Sequence, residues 1–94
     1  MVVYLSGPMR WCAEYPKRFA KAENELKKQK YVVLNPAWLP LGLNEDAYMP
    51  ICLSMLDAAD AIYMLHGWEN SDGAKLEKAY AEYQGKYVYY EKGD

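Results

Sequence analysis

The sequence predicts a three-layer α/β fold in which a four-stranded parallel sheet lies between helices. Four short apolar runs are continuous rather than alternating, as in strands that are covered on both faces. Helical patterns separate these runs and give the order β-α-β-α-β-α-β. Strands that alternate with helices form parallel sheets with right-handed crossovers. We therefore expect a small doubly wound, flavodoxin-like or Rossmann-like fold, with residues 1–94 as one domain.

Each element has its own local signal. The predicted strands are residues 2–6, 31–34, 61–65 and 87–90. The first helix, residues 14–29, has apolar side chains at helical spacing, namely Tyr15, Phe19, Ala22 and Leu26. The third helix runs from Asp72 to about Gln84 and ends at Gly85, because glycine favours the position after a helix. Its expected buried face consists of Leu76, Ala79, Tyr80 and Tyr83.

The second helix contains a proline. Asn44 is a candidate N-cap and precedes two acidic residues suited to a first turn, but Pro50 falls where an interior backbone amide should bond. Either Pro50 occupies the first position of the main helix, or the helix is kinked there. In both cases the expected buried face consists of Ile51, Met55, Leu56 and Ala59.

The composition limits the classes of function. The 94 residues provide one core and at most one site, and their net charge of −2 argues against a protein that tracks a nucleic-acid backbone. No apolar stretch approaches the ~20 residues of a membrane span, there is no basic leader and only two cysteines occur, so we expect a cytoplasmic protein with reduced thiols. Ten tyrosines exceed what so short a chain can bury. Together with the open edges of a four-stranded sheet, they favour a homodimer or larger homo-oligomer.

The topology indicates where a ligand should bind. In a doubly wound sheet, ligands bind beyond the carboxyl ends of the strands, where the strand order reverses. This rule selects loops 7–10, 35–43 and 66–73. In the first loop, Gly7 allows a ligand to approach the backbone, and Arg10 offers a planar fork for a phosphate or carboxylate.

The loop before the third helix has the features of an anion site. Ser71 or Asp72 can cap the helix, while Gly73 and Ala74 leave the amides of its first turn accessible. Glu77 follows that turn and would present a carboxylate to the same crevice. Taken alone, Ser71 is an ordinary cap and Glu77 an ordinary solvated carboxylate. Their placement beside the loop after the first strand is what indicates a site.

Three segments of the sequence resemble a known family. They are Tyr4-Leu5-Ser6-Gly7-Pro8-Met9, Asp60-Ala61-Ile62-Tyr63-Met64-Leu65, and Gly67-Trp68-Glu69-Asn70-Ser71-Asp72-Gly73-Ala74, which leads to Glu77. With them the chain resembles, nearly from end to end, the small bacterial and phage proteins of the DUF4406 type that are related to nucleoside 2-deoxyribosyltransferases. The wider group includes deoxynucleoside 5′-monophosphate N-glycosidases.

The resemblance implies a reaction at the N-glycosidic bond of a 2-deoxynucleoside or its 5′-monophosphate. In that superfamily the glutamate after the Ser-x-Gly turn is the nucleophile. Glu77 would attack the anomeric carbon, displace the base and form a covalent sugar intermediate, which water or a second base resolves. No cofactor or metal is expected. The expected partner is a small nucleoside or nucleotide rather than a nucleic acid or a membrane.

The resemblance also implies roles for other residues. Tyr4 would hydrogen-bond to Glu77 and position it, and Ser71 and Gly73 would donate hydrogen bonds to a 5′-phosphate. The sugar and phosphate side of the pocket would be lined by Ser6, Gly7, Pro8, Met9 and Arg10. Independently of the family, the position of Trp68 suggests that it covers the base by stacking.

Two departures from the family pattern bear on the activity. Characterised members have an aspartate eight positions before the one that opens the third strand, and here that position is Cys52. A thiol cannot act as that acid, so either Asp46 or Asp57 substitutes for it or the activity differs. The alternative function is a catalytically silent nucleotide or nucleotide-sugar binding module. The sequence also ends soon after the fourth strand, so we expect no further segment that completes a neighbouring subunit's pocket.

Two other motifs are weaker. Cys12 and Arg18 have the Cys-x5-Arg spacing of phosphatase loops, but that loop lacks glycine and Glu14 would repel a phosphate. His66 is the only histidine, so a histidine metal cluster is not expected, although the side chain could carry a proton.

Overall fold

The computed structural model describes residues 1–93, apart from the side chain of residue 45. Its strands are β1 (Val2–Ser6), β2 (Val32–Leu34), β3 (Ala61–Met64) and β4 (Tyr87–Tyr90). All pairings are parallel and the strand order is β2-β1-β3-β4. The order reverses at β1, which pairs with β2 on one side and with β3 on the other. The predicted α/β class is therefore confirmed, with a flavodoxin-like arrangement.

The connections between the strands are helical. They are α1 (Tyr15–Lys28), α2 (Glu45–Asp57) and α3 (Asp72–Tyr83). Two short 3₁₀ turns, Pro36–Trp38 and Trp68–Asn70, follow β2 and β3 and were not predicted. Within residues 1–93, no helix is long and apolar enough to cross a membrane.

Strand alternation gives the sheet two different faces. Val3 and Leu5 of β1 pack with Phe19 of α1 in one core. Tyr4, between them in sequence, belongs to a second core that contains Leu56 of α2 and parts of α3. Successive strand residues point to opposite faces, so α1 covers one face and α2 with α3 covers the other. This arrangement gives the three predicted layers.

Buried Glu23 of α1 ties the segment after β2 to the helix. Its Oε1 accepts hydrogen bonds from Nδ2 of Asn35 at 2.8 Å and from Nε1 of Trp38 at 2.7 Å. Its Oε2 lies 2.6 Å from Nζ of Lys27. Burial alone would raise the pKa of Glu23, but the hydrogen bonds from Lys27, Trp38 and Asn35 outweigh it and lower the pKa. The carboxylate is therefore charged and fully partnered at neutral pH.

Helix α2 continues through its proline. It begins at Glu45 after the N-cap Asn44, with Pro50 inside, so the alternative in which Pro50 opens the helix is wrong. Tyr48 secures the turn before Pro50 by donating its hydroxyl to the carbonyl oxygen of Pro40 at 2.6 Å. The predicted acidic first turn depends partly on the side chain of residue 45, which lies outside the described part. Of the predicted face, Leu56 and Ala59 are buried, and Ile51 and Met55 are half-buried.

The predicted buried face of α3 is wrong. Of the four predicted residues only Tyr80 is partly covered, and the exposed ones are Leu76, Ala79 and Tyr83. The residues that face the sheet are Ala74, Glu77 and Ala81. Two alanines allow α3 to approach the sheet closely, and a carboxylate occupies the middle of the face. A search for apolar periodicity cannot find such a face.

Candidate active site

A cavity of about 580 Å³ opens beyond the carboxyl end of β1. Its walls come from β1 and the following loop, from residues 36–41, from α2, and from the loop that leads into α3. This is the edge where the strand order reverses, as the topology predicts. The volume falls within the range of about 300–1,000 Å³ that is typical of small-molecule sites.

Glu77 lies in this cavity and is held by two donors from β1. The hydroxyl of Tyr4 donates to Oε2 of Glu77 at 3.0 Å, and the hydroxyl of Ser6 donates to Oε1 at 2.6 Å. Tyr4 and Ser6 are two residues apart in a strand, so both side chains point to the face that α3 covers. The hydrogen bond from Tyr4 is the one that the family resemblance implies. The hydrogen bond from Ser6 was not anticipated.

The surroundings favour a carboxylate that is hard to ionise beside a phenol that stays protonated. Burial raises the pKa of Glu77 above the ordinary glutamate range, and the hydrogen bonds from Ser6 and Tyr4 partly oppose this effect. Burial, and then the nearby charge of Glu77, raises the pKa of Tyr4. Tyr4 is therefore a donor at every physiological pH. Glu77, which is only 7% exposed, has a fixed orientation with one donor on each oxygen.

The loop after β1 requires a glycine because it crosses the end of β3. A Cβ built on Gly7 would lie 2.8 Å from Cβ of Leu65, so no side chain fits there. Gly7 and the following residues Met9 and Arg10 line the cavity. Pro8 is buried and is not among the described lining residues. The backbone of this loop is thus available to a ligand on its cavity side.

The amino end of α3 forms the opposite wall. Oγ of Ser71 accepts a hydrogen bond from the amide of Ala74 at 3.2 Å, so Ser71 rather than Asp72 is the cap. The Ser71 hydroxyl keeps its own proton for a ligand. Ser71, Asp72 and Gly73 all line the cavity, and the exposed carboxylate of Asp72 lies 3.5 Å from Nζ of Lys75. The partial positive charge of the helix end therefore faces the cavity.

The structure separates other predicted site residues from the cavity. Among the described lining residues there is neither Asp46 nor Trp68. The ring of Trp68 packs instead on Tyr90, at 6.0 Å between centroids, and lies under Nζ of Lys78 at 5.3 Å. Asp57 accepts a hydrogen bond from the hydroxyl of Tyr80 at the far end of α2. Cys52 itself lines the cavity, as do Tyr48 and Met49 of the same helix, and burial raises the pKa of the Cys52 thiol.

The Cys-x5-Arg motif has a structural explanation. Arg18 donates to the carbonyl oxygen of His66 at 2.6 Å and to Sγ of Cys12 at 3.6 Å, and the His66 amide donates to Glu91 at 2.8 Å. These contacts join the start of α1 to the ends of β3 and β4. Cys12 and Cys52 are free thiols. Within the described part of the chain, no group of three His, Cys, Asp or Glu side chains could hold a metal ion.

Several lining residues were missed at the level of sequence. They are Trp11, Tyr15, Tyr48 and Met49, whereas Leu39 and Leu41 lie in the predicted loop 35–43. Trp11 follows directly after Arg10, so an extension of the first loop by one residue would have included it. No sequence pattern indicated that Tyr48 and Met49 of α2 would line the cavity, because Pro50 left the start of that helix uncertain.

The comparisons with known proteins agree with this architecture. Residues 1–90 match the family model described as a domain of unknown function, DUF4406. A solved structure, a 2-desoxiribosyltransferase from Leishmania mexicana, matches with a TM-score of 0.77 at 20% sequence identity and covers 99% of this chain. The present chain spans 65% of the length of that protein, and at this identity the likeness establishes the fold. No curated protein shows a significant match. Because the family model covers nearly the whole sequence, the chain belongs to the DUF4406 family.

Proposed function

We propose that the protein cleaves or transfers at the N-glycosidic bond of a 2-deoxynucleoside or its 5′-monophosphate, through a covalent glycosyl-Glu77 intermediate. The observation that carries this proposal is a buried carboxylate, held by Tyr4 and Ser6, in a cavity of nucleoside size. The likeness to a deoxyribosyltransferase supports nucleoside glycosyl chemistry at the level of the fold. Incubation with a panel of deoxynucleosides and deoxynucleotides, with chromatography for free base, tests it.

In the proposed mechanism a Glu77 oxygen attacks the anomeric carbon while the bond to the base breaks. The base leaves with the bonding electron pair and takes a proton from water. Water or a second base then attacks the anomeric carbon of the glycosyl ester, and the bond to the Glu77 oxygen breaks with its electron pair left on the carboxylate. The attacking group gives its proton to the hydroxide that remains from the first step. The hydrogen bonds from Tyr4 and Ser6 keep the carboxylate in one orientation, so little reorganisation is needed during attack.

The amino end of α3 would bind the 5′-phosphate. Backbone amides at a helix start and the helix dipole favour an anion there. Ser71 and Gly73 line this wall, and Arg10 lines the cavity from the loop after β1. The proposed phosphate subsite thus joins a hydroxyl, backbone amides and a guanidinium.

Replacing Tyr4 with phenylalanine is expected to shift the pH dependence of the reaction. Tyr4→Phe removes a donor that lowers the pKa of Glu77, so that pKa rises further. Glu77 must be ionised to attack, and the acid limb of kcat/KM should therefore move to higher pH. At neutral pH kcat/KM should fall about 10- to 100-fold, because a hydrogen bond to a charged group contributes about 1.5–3 kcal/mol. Tyr31→Phe, outside the described cavity lining, is the control, and an unchanged acid limb in Tyr4→Phe would argue against this role.

A silent binding module is the second candidate function. It is favoured by Cys52, which lines the cavity at the position where characterised relatives have an aspartate. Titration calorimetry with 2′-deoxynucleoside 5′-monophosphates separates the two functions when it is paired with the base-release assay. Binding without turnover supports the module, and turnover excludes it.

We also expect the protein to form a homodimer or larger homo-oligomer. Tyr87 and Tyr89 of the outer strand β4 are 62% and 43% exposed, and their rings stack at 6.3 Å. Exposed aromatic surface beside a sheet edge favours association. Light scattering at micromolar concentration should give a multiple of 10.9 kDa, and Tyr89→Lys should lower the mass. A monomeric mass for the unchanged protein would contradict this expectation.

A further inference from the structure

Trp11 lines the cavity with an aromatic side chain that has no role in the proposed mechanism. Its side chain is 57% exposed and it lines the cavity directly after Arg10. More than half of this aromatic surface is therefore open to a ligand that enters the cavity.

The indole of Trp11 lies against the loop after β3 and makes one hydrogen bond to it. Its Nε1 donates to the carbonyl oxygen of Asn70 at 3.3 Å. A Cβ built on Gly67 would lie 3.5 Å from Cη2 of Trp11. That distance is an ordinary van der Waals contact, so the ring lies directly beside Gly67. The indole is therefore fixed against the loop after β3 although much of its surface is open.

The cavity offers both polar groups and open apolar surface. Glu77, Ser71 and Gly73 provide a carboxylate, a hydroxyl and a helix start, which suit a sugar and a phosphate. Trp11 and Leu41 provide exposed apolar surface in the same cavity. A nucleotide presents the same two kinds of surface, since a polar sugar phosphate is joined to a planar base.

We infer that Trp11 is the surface on which the nucleobase stacks, and that this residue rather than Trp68 supplies the binding energy for the base. The inference rests on the proposed function, because it assumes that a nucleoside or nucleotide occupies the cavity. A restrained ring costs little ordering when the base binds. Stacking on an aromatic side chain tolerates every base, because each has a π-face.

Calorimetry in a Glu77→Gln background tests the inference, because turnover is removed. The probes are the four 2′-deoxynucleoside 5′-monophosphates and 2-deoxyribose 5-phosphate, which lacks the base. Trp11→Ala should weaken nucleotide binding about tenfold or more and leave 2-deoxyribose 5-phosphate unchanged. Trp11→Phe should retain most of the affinity. Tyr83→Ala removes an aromatic ring of α3 that is even more exposed and is not among the described cavity-lining residues, and it should change the binding of neither ligand.

The outcomes distinguish this inference from the proposed function. Equal weakening of nucleotide and 2-deoxyribose 5-phosphate, or unchanged nucleotide binding in Trp11→Ala, overturns the stacking role and leaves the proposed function standing. Failure of the parent protein to bind any of the five probes contradicts both. As a second readout, quenching of tryptophan fluorescence by nucleotide should be lost in Trp11→Phe, whereas an indole that only supports the loop would show no such loss.

Discussion

The Glu77→Gln variant is expected to lose base release by about 10³-fold or more while it keeps the fold of the parent protein. The loss follows because an amide cannot act as the nucleophile that forms the glycosyl ester. The fold should persist because glutamine has the same shape, and its carbonyl oxygen can still accept the hydrogen bond from Ser6. The measurement is the initial rate of base release, followed by chromatography.

The stability of this variant provides an independent check. The pKa of Glu77 is raised by burial, so the contribution of Glu77 to stability is largest at low pH and is lost as the pH rises through that pKa. The neutral glutamine avoids this loss. Glu77→Gln should therefore unfold at an equal or higher denaturant concentration than the parent at neutral pH. Glu82→Gln, on the exposed side of α3, is the control and should change neither rate nor stability by much.

The Glu23→Ala variant is expected to lose about 2–3 kcal/mol of unfolding free energy. Glu23 is 7% exposed and accepts hydrogen bonds from buried Asn35 and from Trp38, and the variant leaves both donors without this partner. The segment that Glu23 holds includes Pro36 and precedes Leu39, and both line the cavity. Ligand affinity should therefore fall together with stability. Urea unfolding followed by tryptophan fluorescence measures the effect.

The effect of Glu23→Ala should depend on pH. The pKa of Glu23 is lowered in the folded protein, so its contribution is present above the pKa of an unfolded glutamate and is lost as the pH falls through the folded value. The stability difference between parent and variant should shrink in acid. Glu25 lies two residues further along α1 and is exposed, so Glu25→Ala should leave the free energy of unfolding nearly unchanged. An equally large loss in Glu25→Ala, or a difference that grows in acid, would count against the role of Glu23.

The layers of the fold could be predicted from sequence because the strands are continuous apolar runs between helical patterns. The orientation of α3 could not, because its buried face consists of two alanines around Glu77, and large apolar residues such as Tyr83 point to solvent. A pattern search assumes that the largest apolar residues are inside. This assumption fails where a functional carboxylate must face the sheet.

The candidate site was predicted in part. Glu77 and Ser71 were found because a short motif and the topology placed them at one edge of the sheet, and the role of Tyr4 came from the family resemblance. The donor role of Ser6 was implicit in its spacing from Tyr4, since alternate strand residues share a face. The contribution of Trp11 was hidden, because its placement depends on contacts with a loop more than fifty residues away in sequence.

The central claim is that Glu77 becomes covalently attached to the sugar. The most direct measurement is acid quenching of the protein during turnover of a 2′-deoxynucleoside 5′-monophosphate, followed by intact mass and peptide mapping. The proposed function predicts a mass increase equal to one 2-deoxyribosyl phosphate group on the peptide that contains Glu77, and no increase in the Glu77→Gln variant. An adduct on another residue, or base release at the parent rate by Glu77→Gln, would contradict it.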